Sequence, residues 1–125
     1  MNLLLDTHVL LWWLSDASTL SEKSRMAVAD GKNLVFVSAV SVWEIRIKEA
    51  LNKLKIPANF ESVLAVQPFE SLAITHEHAH AIKNLPTYHS DPFDRMLVAQ
   101  AKAEGFTLVT RDVHLKKYRI PILAA

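Results

Sequence analysis

Short apolar runs separated by helical patterns constrain this chain more than any other feature. Asn2–Asp6 (NLLLD), Leu34–Ser38 (LVFVS) and Phe106–Thr110 (FTLVT) read as buried strands. Phe69–Ile74 (FESLAI) is a plausible strand between the last two, and IPIL near the C-terminus is a candidate fifth. Continuous apolar character, with β-branched and aromatic residues, suits strands covered on both faces. The stretches THVLLWWLSD, LSEKSRMAVADG, AVSVWEIRIKEALNK, NFESVLAV, THEHAHAIKNL and DPFDRMLVAQAKAEG carry helical patterns. Ser21 is the predicted cap of the second helix and Gly31 its predicted end. Strands alternating with helices imply an α/β architecture around a parallel sheet. In such sheets ligands bind outside the carboxyl ends of the strands, where Asp6 and Asp112 both fall.

The 125 residues suffice for one domain, and half of them are hydrophobic, enough for a sizeable core. With 2 Gly and 5 Pro there is no flexible linker, so residues 1–125 are expected to form a single unit. A net charge of +1 means that any polyanion must be met by a local basic patch. The absence of cysteine excludes disulfides, thiolate chemistry and cysteine zinc sites. The apolar N-terminus lacks a basic leader and is interrupted by Asp6 and His8, unlike a secretory signal. No run approaches the roughly 20 apolar residues of a membrane helix. A soluble, cytoplasmic protein without membrane partners is expected.

Four acids have settings unlike those of surface charges. Asp6 ends the first strand, although it also suits the cap of the following helix. At about 100° per residue, Val40, Trp43, Ile47 and Leu51 form an apolar stripe that includes Glu44 and leaves out Arg46, Lys48 and Glu49. A glutamate there needs an ion-pair partner or a metal, because burying an unpaired charge is costly. In HSDPFDRMLVAQA, Asp91 before Pro92 is a natural helix cap. Asp94 shares a face with Leu97, Val98 and Ala101 and points inward from the first turn. Asp112 follows an apolar strand, where a turn aspartate is the alternative. If the four converge, their repulsion calls for cations, and an oxygen-only set suits Mg²⁺ or Mn²⁺. That is the apparatus of metal-assisted phosphodiester hydrolysis.

Together LLLDTHVLLW, SAVSVWEI, HSDPFDRMLVAQA and LVTRD resemble the motifs of PIN-domain ribonucleases, particularly VapC-like toxins of type II toxin–antitoxin pairs. The resemblance spans nearly the whole chain. It implies a three-layer α/β/α sandwich with a mostly parallel sheet of four or five strands. It implies that Asp6, Glu44, Asp94 and Asp112 are the catalytic, metal-holding acids around Mg²⁺ or Mn²⁺. Thr7 and Thr110 match small polar positions that orient acids or water, while Asp91 lies outside the usual quartet. The implied activity is endoribonucleolytic hydrolysis of RNA by water that the metal activates. The implied partners are the RNA substrate, a second copy of the chain, and a cognate small antitoxin whose C-terminal segment enters the active-site groove.

Other constellations carry less. His76 and His80 share a helical face but find no third ligand for zinc. His8 and His89 lie beside the acidic motifs, within reach of a substrate phosphate, although packing or hydrogen bonding is the expected role of both. Basic runs at Arg46, Lys48, Lys53 and Lys55, and at Arg111, Lys116, Lys117 and Arg119, are solvated faces or guides for RNA phosphates. Adjacent Trp12 and Trp13 cannot face the same way, which would leave one free for a dimer partner. Two rival functions are an aspartyl-nucleophile phosphatase or phosphoacceptor, and a non-catalytic module that binds RNA or protein. The DTH sequence lacks the second acid of a haloacid-dehalogenase-like site, and an intact quartet disfavours a silent module.

Overall fold

The computed structural model describes residues 1–125. Its strands are β1 (Asn2–Leu5), β2 (Leu34–Ser38), β3 (Glu70–Leu72), β4 (Thr107–Thr110) and β5 (Ile122–Ala124). Its α-helices are α1 (Thr7–Leu14), α2 (Glu22–Ala29), α3 (Ala39–Ala50), α4 (Phe60–Ala65), α5 (His76–Ala81) and α6 (Pro92–Glu104). Two 3₁₀ helices, Ile82–Asn84 and Val113–Tyr118, complete the chain.

The strands form one five-stranded sheet in the order β3-β2-β1-β4-β5, with every neighbouring pair parallel. Alternation along β1 shows how the layers arise. Leu3 and Leu5 join Val9, Leu10, Val28 and Phe60 in one core, which includes residues of α1, α2 and α4. Leu4 faces the other way, into a core with Leu97, Val98, Ala101, Leu108 and Leu115. Helix α3 contributes Ile45 to the first core and Val40 to the second. The result is the three-layer α/β/α sandwich.

Strand order reverses at β1. The chain moves outward through β2 and β3, then returns to place β4 on the other side of β1. The crevice at this switch point lies outside the carboxyl ends of β1 and β4. Leu5 is in register with Val109, and the Asp6 amide donates to the Val109 carbonyl at 3.1 Å. Asp6 therefore emerges beside Thr110.

Several local expectations need correction. Gly31 does not end α2: the C-cap is Asp30, whose carboxylate accepts the Lys32 amide at 2.9 Å. Gly105 is the glycine that a helix end requires, capping α6 at φ 72°. The residues after Asp112 form a 3₁₀ helix, with Asp112 accepting the His114 amide at 2.9 Å. Both tryptophans are engaged. Trp13 donates from Nε1 to Gln67 at 3.0 Å, and Trp12 lies 4.5 Å beneath the Arg111 guanidinium. Both indoles are half-buried by these contacts. No helix is long and apolar enough to cross a membrane.

Candidate active site

Asp6 follows β1 and does two jobs. Its Oδ1 accepts the Val9 amide at 2.8 Å, capping α1, while Oδ2 accepts the Thr110 hydroxyl at 2.5 Å. The same hydroxyl accepts the Asp112 amide at 3.1 Å, so Thr110 links the ends of both strands. Burial raises the Asp6 carboxyl above its ordinary value, against the lowering effect of its hydrogen bonds.

Glu44 is 3% exposed, as its inward placement predicts, but the stripe assigned to it is wrong. Trp43 and Leu51 are 58% and 59% exposed, and the buried face of α3 is Val40, Ser41, Glu44 and Ile45. Ser38 caps the helix, and the small Ser41 sits buried against α1. There the Thr7 hydroxyl donates to Glu44 Oε1 at 2.6 Å and lies 3.1 Å from Ser41 Oγ. Lys48, read from sequence as outside this face, is half-buried and donates from Nζ to Glu44 Oε2 at 2.5 Å. Its ammonium is raised by that bond first, and the charges of Asp91 and Asp94 add to the effect.

Asp91 and Asp94 divide as their positions suggest. Asp91 Oδ1 accepts the amides of Phe93 and Asp94 at 2.8 and 3.1 Å, the N-cap of α6. Asp94 accepts no hydrogen bond, and its nearest donor is His89 Nε2 at 3.5 Å. Burial pushes its carboxyl up to about 7, with the charges of Asp91, Asp6 and Glu44 also raising it and His89 opposing. The charges of Asp6, Glu44 and Asp91 thus all act on Asp94, although only His89 and Asp112 bring ligand atoms close to it.

Asp112 closes the pocket beside His89. Asp112 Oδ2 lies 2.9 Å from His89 Nε2, and ligand atoms of His89, Asp94 and Asp112 all fall within 4.8 Å of one another. The imidazole is fixed by its other nitrogen, because Nδ1 accepts the Asp91 amide at 3.1 Å. In the neutral ring Nε2 then carries the proton and donates. In this geometry His89 is a hydrogen-bond donor to Asp112, not a metal ligand. The sequence sets His89 beside the acidic motifs, two residues before Asp91, but carries no sign of its bond to Asp112.

The HEHAH histidines lie outside this site. His78 is buried and completes a capping box with Thr75, while the His76 and His80 rings meet edge-on at 6.4 Å. The molecule's largest groove, about 720 Å³ between α3, α4 and β3, contains none of the four acids. The smaller grooves are not lined by these acids either.

Comparison with known proteins places this geometry in a family. The PIN domain matches residues 3–121. Ribonuclease VapC22 of Mycobacterium tuberculosis is 30% identical over 123 residues, covering 96% of this chain and 94% of that protein. The fold is similar to VapBC2 from Rickettsia felis bound to a DNA fragment from their promoter, with TM-score 0.76, 17% identity and coverage of 99% and 98%. It is also similar to DNA-bound VapBC from Salmonella typhimurium, with TM-score 0.70, 16% identity and the same coverage of each chain. The chain belongs to the PIN-domain family and is a VapC-like member of it.

Proposed function

We propose that this chain is a metal-dependent endoribonuclease, the toxin of a toxin–antitoxin pair acting in the cytoplasm. The observation that carries the metal-dependent part is the state of Asp94. Its carboxyl is inward-facing, without a hydrogen-bond donor of its own, and pushed up to about 7 among other acids. Such a group gains most from a cation. The donor set fits Mg²⁺ or Mn²⁺: carboxylate oxygens, no thiolate, and a histidine committed as a donor. Asp6 and Asp94 would hold the ion, with Glu44 and Asp112 completing the pocket directly or through water. When bound, the ion supplies Lewis-acid stabilisation of a phosphodiester and a more acidic water.

The chain's own groups set the geometry. Thr110 and Thr7 hold Asp6 and Glu44 by their hydroxyls, so these carboxylates are oriented before substrate arrives. His89 fixes Asp112, and the Lys48 ammonium supplies positive charge beside Glu44. RNA as substrate is supported by the full-length likeness to a protein named as a ribonuclease. A small antitoxin partner is supported by the toxin–antitoxin complexes that share the fold. A homodimer is the expected assembly. Purified chain freed of any partner should cut RNA with Mg²⁺ or Mn²⁺ and stop in EDTA. Undiminished cleavage in metal-free buffer would overturn the metal-dependent reading.

A further inference from the structure

A second feature lies across the wall formed by His89 and Tyr118. A groove of about 470 Å³ is lined by Lys102 from α6, by Lys117 and Arg119 at the end of the second 3₁₀ helix, and by Tyr88 and Tyr118. No acid lines it, and none of its three cations forms a salt bridge. Several other cations of the chain are committed elsewhere. Arg46 pairs with Glu49 at 2.9 Å, Lys48 with Glu44, and Arg111 donates to the carbonyls of Thr19 and Ala125. Lys117 and Arg119 of the C-terminal basic run, together with Lys102, thus bring three unpaired cations to one concave surface.

The aromatic lining is suited to the same occupant. Tyr88 is 53% exposed and braced edge-on by Tyr118, ring centroids 5.2 Å apart. Bracing holds a ring for stacking at little further entropic cost. Arg119 stands at φ 58°, a left-handed conformation in which glycine would be less strained. The groove also connects physically to the acids: the His89 amide donates to the Tyr118 hydroxyl at 2.9 Å, and the His89 ring reaches Asp112.

We propose that this groove is a subsite for single-stranded RNA, in which Lys102, Lys117 and Arg119 take backbone phosphates and Tyr88 stacks a base flanking the cleaved bond. This rests on the ribonuclease reading and names where the strand runs beside the acidic pocket. Unpaired cations around an aromatic platform are the chemistry by which proteins hold single strands.

The test measures binding of a fluorescent single-stranded RNA oligomer to the Asp94→Asn chain across a salt series. Replacing Lys102 and Lys117 by Gln and Arg119 by Gly should weaken binding at low salt about 10–100-fold. It should also reduce the slope of log K against log salt by about 2, near 0.7 per phosphate contact. Removing three cations outside the groove, with Lys23→Gln, Lys32→Gln and Lys55→Gln, should change the slope much less. Tyr88→Ala should weaken binding about 5–100-fold and Tyr88→Phe should restore it, the pattern of stacking. Equal losses from the two triple variants, or an unchanged slope in the first, would overturn the subsite while wild-type cleavage left the ribonuclease reading standing. A wild-type chain that neither binds nor cuts RNA would overturn both.

Discussion

Helix α6 carries two polar clusters less than two turns apart, built on opposite terms. In its middle, Gln100 accepts the Ser38 hydroxyl at 2.6 Å and donates from Nε2 towards the Ala73 carbonyl and His78 Nδ1, each at 3.3 Å. His78 also accepts the Thr75 amide and reaches Glu104 at 2.9 Å. The cluster ties α6 to the start of α3 and to α5. At the head of the same helix, Asp94 stands among like charges with no donor of its own. A satisfied network fixes which elements meet, whereas crowded acids store unfavourable energy that a cation can release. One cluster serves the scaffold; the other, under the proposed function, is where a cation would bind.

The contrast predicts opposite responses to substitution. Asp94→Asn should lower RNA cleavage by at least about a hundredfold, as expected for loss of a group that organises the reacting centre. Circular dichroism should show an intact fold. Gln100→Leu should do the reverse. It leaves the buried Ser38 hydroxyl without its acceptor, destabilising the chain by about 1–3 kcal/mol in denaturant unfolding. Cleavage per folded molecule should persist.

A third prediction concerns pH without metal. The Asp94 carboxyl is raised in the folded state, so the folded chain binds that proton more tightly than the unfolded one. Its stabilising contribution is complete below the unfolded value near 4 and is lost as pH rises to about 7. Thermal melts in EDTA should therefore show stability falling across this interval, and Asp94→Asn should flatten the fall. The smallest effect is expected at Asp91. Asn caps about as well as Asp, so Asp91→Asn should cost no more than a few tenths of a kcal/mol and leave most activity. It should also shift the Asp94 titration downward, because the Asp91 charge contributes to raising it.

The strand framework and the approximate place of the candidate site are legible because they rest on local signals. Apolar runs marked β1, β2 and β4, and the Asp91–Pro92 pair marked the start of α6. The inward setting of Asp94 followed from helical periodicity. What escaped depends on contacts distant in sequence. The face of α3 was misjudged because Trp43 looks like a core residue, yet it packs edge-on against Phe93 at 5.4 Å and stays exposed. Its buried neighbour is Ser41, whose partner Thr7 lies on another helix. Lys48 was set outside because a periodic wheel counts a cation as solvent-facing, whatever acid stands one turn earlier. His89 entered the site through Asp112, more than 20 residues away. Side-chain pairing of this kind has no period to read.

The comparison is tested most directly by melting wild type and Asp94→Asn side by side at pH 8, first in EDTA and then across a Mn²⁺ titration. In EDTA the variant should match or exceed wild type, by about 1–3 kcal/mol if Asp94 holds its charge against the raised carboxyl. Added Mn²⁺ should stabilise wild type by about 2.7 kcal/mol at a hundredfold excess over Kd, and the variant much less. A variant that melts well below wild type in EDTA, or that gains as much from Mn²⁺, would contradict the account: Asp94 would then belong with Gln100, as part of the scaffold.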